Sequence, residues 1–252
     1  MALLDGPLRA RAEVAAAGIA RALRDRSWPG GSSLARGAAG RDLFRALAGE
    51  PVESEPVEGS DPSLYAGLLG PAWVRAHRGE DLDWCCAVDA ALLEYLEAPP
   101  APPGFTLTRG LAGQAVYLFE RLPEPGAAEG LERILVRLAA SAARDPRGAA
   151  WPDGSGAVDL GVAHGLAGVI GTLAGFVAAG IGETTARPLL EEAVAFLLST
   201  ERPPGSIGRF PAVLGQTADA DPVRAGWCYG DPGIAAVLLA AGWEQPAIEL
   251  AL

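Results

Sequence analysis

The stretch that decides the fold is "GVAHGLAG", residues 161–168, in which Gly165 and Gly168 stand three apart and open the apolar run "GVIGTLAGFVAAG". The same step occurs four more times: "SLARGAAG" (Gly37, Gly40), "SLYAGLLG" (Gly67, Gly70), "TLTRGLAG" (Gly110, Gly113) and "GWCYGDPG" (Gly230, Gly233). The first glycines of successive steps are 30, 43, 55 and 65 residues apart. A constant signature at irregular spacing describes one structural unit that carries insertions of variable length.

Each step leads into a helical pattern, "GQAVYLFERL" for example. Between these runs lie stretches with one charged face, such as "GLERILVRLAASAAR" and "RPLLEEAVAFLLST". A helix apolar all round is buried, and an amphipathic one lies outside it. Almost nothing reads as an alternating strand. Glycines three apart at a helix start share a face and let neighbours approach closely. The pattern predicts an all-α chain built as an α/α toroid, with an inner ring of apolar helices crowded at one end and an outer ring of amphipathic ones. A helical solenoid would hold its period more tightly. Residues 49–62 read as an exposed acidic loop, 97–104 as a proline-rich spacer and 151–156 as a turn. The repeat continues on either side of each, so residues 1–252 read as a single domain.

Composition narrows the function. The formal charge of −11 argues against nucleic acid, which needs clustered cations. All 20 basic residues are arginine, which with the abundance of Ala, Gly and Pro reflects coding bias rather than a recognition surface. No uninterrupted apolar run is long enough for a membrane span, and the first residues lack the layout of a secretory signal. Cys85, Cys86 and Cys228 are too few for a disulfide framework. These features predict a cytoplasmic protein.

Few side chains are candidates for chemistry. His77, in "WVRAHRGED", reads as solvated and inert. His164 directly precedes the fourth step, at a helix N-terminus that favours the neutral base or ligand form of imidazole. Cys228 has the same placement before the fifth step, where Asp231 would cap the helix and Pro232 would open it. A thiol near a helix N-terminus becomes a better nucleophile or metal ligand. Cys85 and Cys86 share a helical arc with Leu82, Leu92, Leu93 and Leu96 and read as core. Asp89 falls in that arc and needs a buried partner.

"GVAHGLAG" followed by "GWCYGDPG", after three earlier steps, resembles the lanthionine synthetase C family over essentially the whole chain. The resemblance implies an α/α toroid of seven inner and seven outer helices with zinc at its centre. It also implies an activity, the addition of cysteine thiols of a dehydrated precursor peptide to dehydroalanine or dehydrobutyrine. Residue by residue it implies Cys228 as a zinc ligand, His164 as the histidine that handles the proton, and Arg224 as an arginine of the active centre. A dehydratase is an implied partner.

Two departures stand out. The family's other two zinc ligands form a Cys-His pair after the WCYG motif, and this sequence has no such pair; five of seven steps are present, so the double ring reads as incomplete, with its C-terminal helix pairs missing. Thr106 stands where the resemblance implies an aspartate. The expectation is a zinc-dependent thioether cyclase, truncated or inactive as a single chain. The rivals are a non-catalytic toroid that binds peptides or partner enzymes, and an unrelated toroid enzyme acting on carbohydrate or isoprenoid substrates, for which no paired rim carboxylates are found.

Overall fold

The computed structural model describes residues 5–24, 31–54, 56–57, 59–98, 104–214 and 225–251, with side chains described as far as residue 247. Among them lie ten α-helices and one short hairpin. The chain divides into two compact units, residues 1–85 and 86–252.

The first unit contains α1 (Gly6–Leu23), α2 (Ala38–Leu47) and α3 (Leu69–Arg78); the division falls within α4 (Leu82–Glu97). Helix α2 packs on both α1 and α3. Residues 51–54 and 59–62 have no regular structure, as expected of the acidic loop.

In the second unit, α5 (Leu111–Glu120) pairs with α6 (Pro125–Ser141), α7 (Leu166–Ala179) with α8 (Glu183–Leu198), and α9 (Asp231–Ala240) with α10 (Glu244–Ala251). Helix α7 also touches α5 and α9, and α6 touches α8. The hairpin β1 (Ala143–Asp145) and β2 (Gly148–Ala150) is antiparallel, with Ala143 opposite Ala150, and β2 rests on α8. Burial separates the helices as the sequence pattern predicts. Helix α7 buries Leu166, Ala167, Val169, Ile170, Thr172, Leu173, Ala174 and Phe176, on all sides. Helix α8 buries one stripe, Ala186, Leu189, Leu190, Ala193, Val194 and Leu197, at the 3-4 spacing of an outer helix. Helix α6 does the same with Ala127, Leu131, Ile134, Leu135 and Leu138. Each fully buried leucine on these stripes contributes roughly 1.5–3 kcal/mol.

The five steps stand at the starts of α2, α3, α5, α7 and α9. Their glycines serve a different contact from the one expected. Rather than admitting a neighbouring helix, they admit the carbonyls of the loop that leads into their own helix. A Cβ on Gly67, Gly110 or Gly165 would collide with the carbonyl oxygen of Asp61, Gly104 or Asp159, six residues earlier. A Cβ on Gly40, Gly70, Gly168 or Gly233 would collide with that of Leu34, Leu64, Val162 or Trp227, also six earlier. At Gly230 the backbone adds its own demand, since φ is +109°. The loop closes because the N–H just after each motif's first glycine reaches back seven residues: Ala38 to Gly31 (2.8 Å), Leu68 to Asp61 (2.8 Å), Leu111 to Gly104 (2.9 Å) and Leu166 to Asp159 (2.8 Å).

On α4 the arc is narrower than expected. Cys85, Val88, Asp89, Leu92 and Leu96 are buried, whereas Cys86 faces outward and Leu82 is 47% exposed. A one-residue step turns a helix by about 100°, which carries Cys86 off the stripe. Its Sγ accepts a hydrogen bond from Arg121 Nη2 at 3.4 Å. The partner that Asp89 requires is there: Tyr117 Oη donates to it at 2.6 Å and Arg121 Nε at 2.9 Å. His77 is exposed and stacks on Trp73, with ring centroids 4.9 Å apart.

Candidate functional site

Within each unit, loops before successive helices are fastened to one another. In each case the N–H two residues before a motif's first glycine donates to the carbonyl at the same place in the next motif. Ala35 donates to Tyr65 (3.0 Å) in the first unit; Thr108 donates to Ala163 (3.3 Å) and Ala163 to Cys228 (3.4 Å) in the second. Val162 adds a second bond to the Cys228 carbonyl at 3.0 Å. These bonds bring together positions far apart in sequence. His164, next to Ala163, stands beside the Cys228–Tyr229 pair, with the His164 and Tyr229 ring centroids 6.0 Å apart.

His164 is exposed and lies immediately before Gly165, the N-cap of α7. Its Nδ1 is 3.1 Å from Thr108 Oγ1. Cys228 is half-buried and lies two residues before Gly230, the N-cap of α9. The expected capping role of Asp231 does not hold. Asp231 is the first residue of α9, and its carboxylate accepts from the backbone N–H groups of Arg209 (2.7 Å) and Phe210 (3.2 Å). A negative charge in the first helical turn is still favourable there. What the carboxylate secures is the segment behind the site, which also bridges to the fourth motif through Leu160 N–H to Ala212 (2.9 Å) and Leu214 N–H to Val158 (2.8 Å). Arg224 lies outside the described residues.

Three contributors have no role assigned from the sequence. Asp159 accepts from Tyr229 Oη at 3.0 Å and from Gly161 N at 2.8 Å, so one carboxylate ties the fourth motif to the fifth. The Tyr229 phenol is pushed up to about 12, chiefly by burial and then by the Asp159 charge and hydrogen bond, with Cys228 adding to it. It stays a neutral donor in the physiological range. A signal for Asp159 was present, since Asp61 stands at the same distance before Gly67 and makes the same turn, accepting from Ser63 N at 3.0 Å. The third, Thr108, carried no such signal. Thr106, at the position where the resemblance implies an aspartate, accepts from Arg109 N at 3.2 Å and so serves its own turn.

The zinc that the resemblance implies can be set against this donor set. Structural and catalytic zinc takes at least three protein ligands in tetrahedral geometry. Among the described residues no three His, Cys, Asp or Glu side chains are grouped to hold a metal. Cys228 is one donor and, among the described residues, not a complete site. No helix among the described residues is long and apolar enough to cross a membrane.

Comparisons with known proteins agree with this architecture. A solved structure of a nisin cyclase superposes with a TM-score of 0.69 at 19% identity, covering 97% of this chain and 74% of that one. The all-α, α/α-toroid fold is therefore shared. No curated protein sequence matches. The model of the family described as lanthionine synthetase C-like protein matches residues 39–249, from within the first glycine step, through the His164 and Cys228 loops, to the last helix. The chain belongs to the lanthionine synthetase C-like family.

Proposed function

We propose that this chain acts on a dehydrated precursor peptide as a thioether cyclase. In that reaction a cysteine thiol adds across the double bond of dehydroalanine or dehydrobutyrine. An S–Cβ bond forms, the π electrons move to Cα as an enolate, and a proton is delivered to Cα. His164 takes the thiol proton and returns it to the enolate carbon. Exposure of the imidazole suits it to a substrate as large as a peptide, and a positioned acid–base group contributes roughly 10²–10⁴ in rate. Arg224 is proposed as the cation of the same centre. The two compact units are read as parts of one domain, in a cytoplasmic protein supplied with substrate by a dehydratase.

The observation that carries this reading is the pair of backbone bonds from Val162 and Ala163 to the Cys228 carbonyl, in a chain of this family. They support the reading by joining the loop that carries His164 to the loop that carries Cys228, two of the three residues that the resemblance singles out. The addition conserves mass, so the assay is loss of alkylatable thiol. A peptide carrying one cysteine and one dehydroalanine is incubated with the protein, treated with N-ethylmaleimide and weighed. The expected product forms slowly with this single chain but resists alkylation, and His164→Ala abolishes the resistance. A peptide that stays fully alkylated would contradict the reading.

The metal requirement is tested separately. With Cys228 as the one donor identified, we expect the 252-residue chain to hold zinc weakly, because affinity depends on several deprotonated ligands fixed in place. Elemental analysis of the purified chain beside Cys228→Ala checks this. Tight one-to-one zinc that survives Cys228→Ala would show that the metal sits elsewhere. The single thiol also favours a second reading, a toroid that binds peptide without chemistry. Retention of the same peptide without alkylation resistance would select it.

A further inference from the structure

We propose that Thr108 is a positioning residue for His164: its hydroxyl accepts a hydrogen bond from Nδ1–H and leaves Nε2 as the nitrogen that exchanges protons with the peptide. The proposal rests on the cyclase reading for its purpose, though not for its first test.

Thr108 and His164 are 56 residues apart, and their 3.1 Å contact is imposed by the backbone on both sides. The Thr108 N–H is bound to the carbonyl of Ala163, the residue before His164. Thr108 is 8% exposed, and a β-branched side chain so enclosed has little rotamer freedom. Its hydroxyl is thus presented to the imidazole before any substrate arrives.

The nature of the partner matters as much as its position. When the imidazole carries two protons, both nitrogens donate, so Oγ1 has to accept from Nδ1. If the neutral ring keeps its proton on Nδ1, the same bond persists and nothing reorients when Nε2 gains or loses a proton. A donor–acceptor pair that needs no reorganisation during the reaction is the arrangement that favours proton transfer. A neutral hydroxyl orients the ring in both states without adding charge. Among the described neighbours, Tyr229 Oη donates to Asp159, and Thr106 Oγ1 accepts from Arg109 N within its own turn. The sequence reading gave Thr108 no role, because a threonine between Leu107 and Arg109 resembles any loop residue.

The test uses the full chain labelled with ¹⁵N. The protein has two histidines, so His77→Gln assigns the imidazole signals of His164 directly. Two-bond ¹H–¹⁵N correlations at a pH where the ring is neutral report which nitrogen is protonated. The expected pattern is a protonated Nδ1 and an unprotonated Nε2; the reverse pattern overturns the proposal. In Thr108→Val the pattern should collapse to a mixture of tautomers, and Thr108→Ser should restore it. In the alkylation assay Thr108→Val should lower kcat on the order of tenfold with KM unchanged, the cost of a misoriented catalytic group, and Thr108→Ser should recover it. A folded Thr108→Val with the wild-type pattern refutes the proposal. If Thr108→Val fails to fold, the wild-type and Thr108→Ser spectra still decide it. If no variant cyclises peptide, wild type included, the function falls while the tautomer pattern still decides whether Thr108 sets the ring.

Discussion

The loop of residues 31–37, in the first unit, and that of residues 159–165, in the second, share a backbone and differ in chemistry. Both close with a 2.8 Å bond from the first helical N–H, Ala38 to Gly31 and Leu166 to Asp159. Both fasten to the following motif from the residue two before the glycine, Ala35 to Tyr65 and Ala163 to Cys228. Yet the position before the glycine holds Arg36 in one and His164 in the other, and the carbonyl that receives the bond belongs to Tyr65 in one and Cys228 in the other. The repeat therefore fixes places, and the side chains at a few of those places carry the proposed chemistry. Function is grafted on a scaffold that is the same where no function is proposed.

The sharpest way to break the comparison is to fill the space that both loops need. Gly165→Ala in the second-unit loop and Gly40→Ala, just after the first-unit loop, each aim a methyl at a loop carbonyl, Asp159 or Leu34, which cannot swing away as a side chain would. Each should cost about 3 kcal/mol, the upper end of the usual range for overpacking. Denaturant midpoints at unchanged m-value check this. Equal losses support a shared scaffold, while a loss at Gly165 alone would confine the argument to the second unit.

Next in size is the carboxylate that separates the two regions. Asp159→Ala removes bonds to Tyr229 and Gly161 and should cost about 2 kcal/mol, whereas Asp61→Ala, whose carboxylate accepts from the nearby Ser63, should cost about half of that. Tyr229 provides a second readout. Its native phenol ionises at about 12, above the unfolded value of roughly 10. Its contribution to stability is therefore complete below pH ~10 and is lost as the pH rises from there through about 12. Asp159→Ala should narrow that window without closing it, because burial remains the largest cause. Tyrosine ¹³Cζ titration measures the change.

The smallest effect separates two glycines on one helix. Gly168→Ala meets the Val162 carbonyl, but a Cβ at Gly171 makes only ordinary contact with Val237, 3.5 Å away. Gly168→Ala should destabilise α7, and Gly171→Ala should be neutral or stabilise by about 0.5–1 kcal/mol through better helix propensity. A stabilising Gly168→Ala would mean that the loop does not press on the helix.

Much of this was legible in sequence because glycine spacing and apolar periodicity are local signals. The division between buried α7 and the one-faced α6 and α8 follows from which residues repeat at 3-4 spacing. What could not be read was the direction in which the glycines are crowded. That depends on a loop doubling back over six residues, a contact between backbone atoms with no side-chain signature. The same limit hid Thr108, whose role exists only because two loops 56 residues apart share a backbone bond. Asp231 misled for a related reason: an Asp-Pro-Gly triplet at a helix start looks like a cap, but the N–H groups that claim its carboxylate belong to Arg209 and Phe210. Asp89 was the opposite case, since a charge on an apolar arc demands a partner wherever it comes from.

The central claim is that the fourth and fifth motifs deliver His164 and the Cys228–Tyr229 pair to one place. The most direct measurement is a nuclear Overhauser spectrum of the native chain, in which two histidines and four tyrosines keep the aromatic region simple to assign. Ring centroids 6.0 Å apart predict cross-peaks between the His164 and Tyr229 ring protons, retained in Cys228→Ser and lost in Gly165→Ala. Assigned His164 and Tyr229 signals with no cross-peak between them would contradict the account.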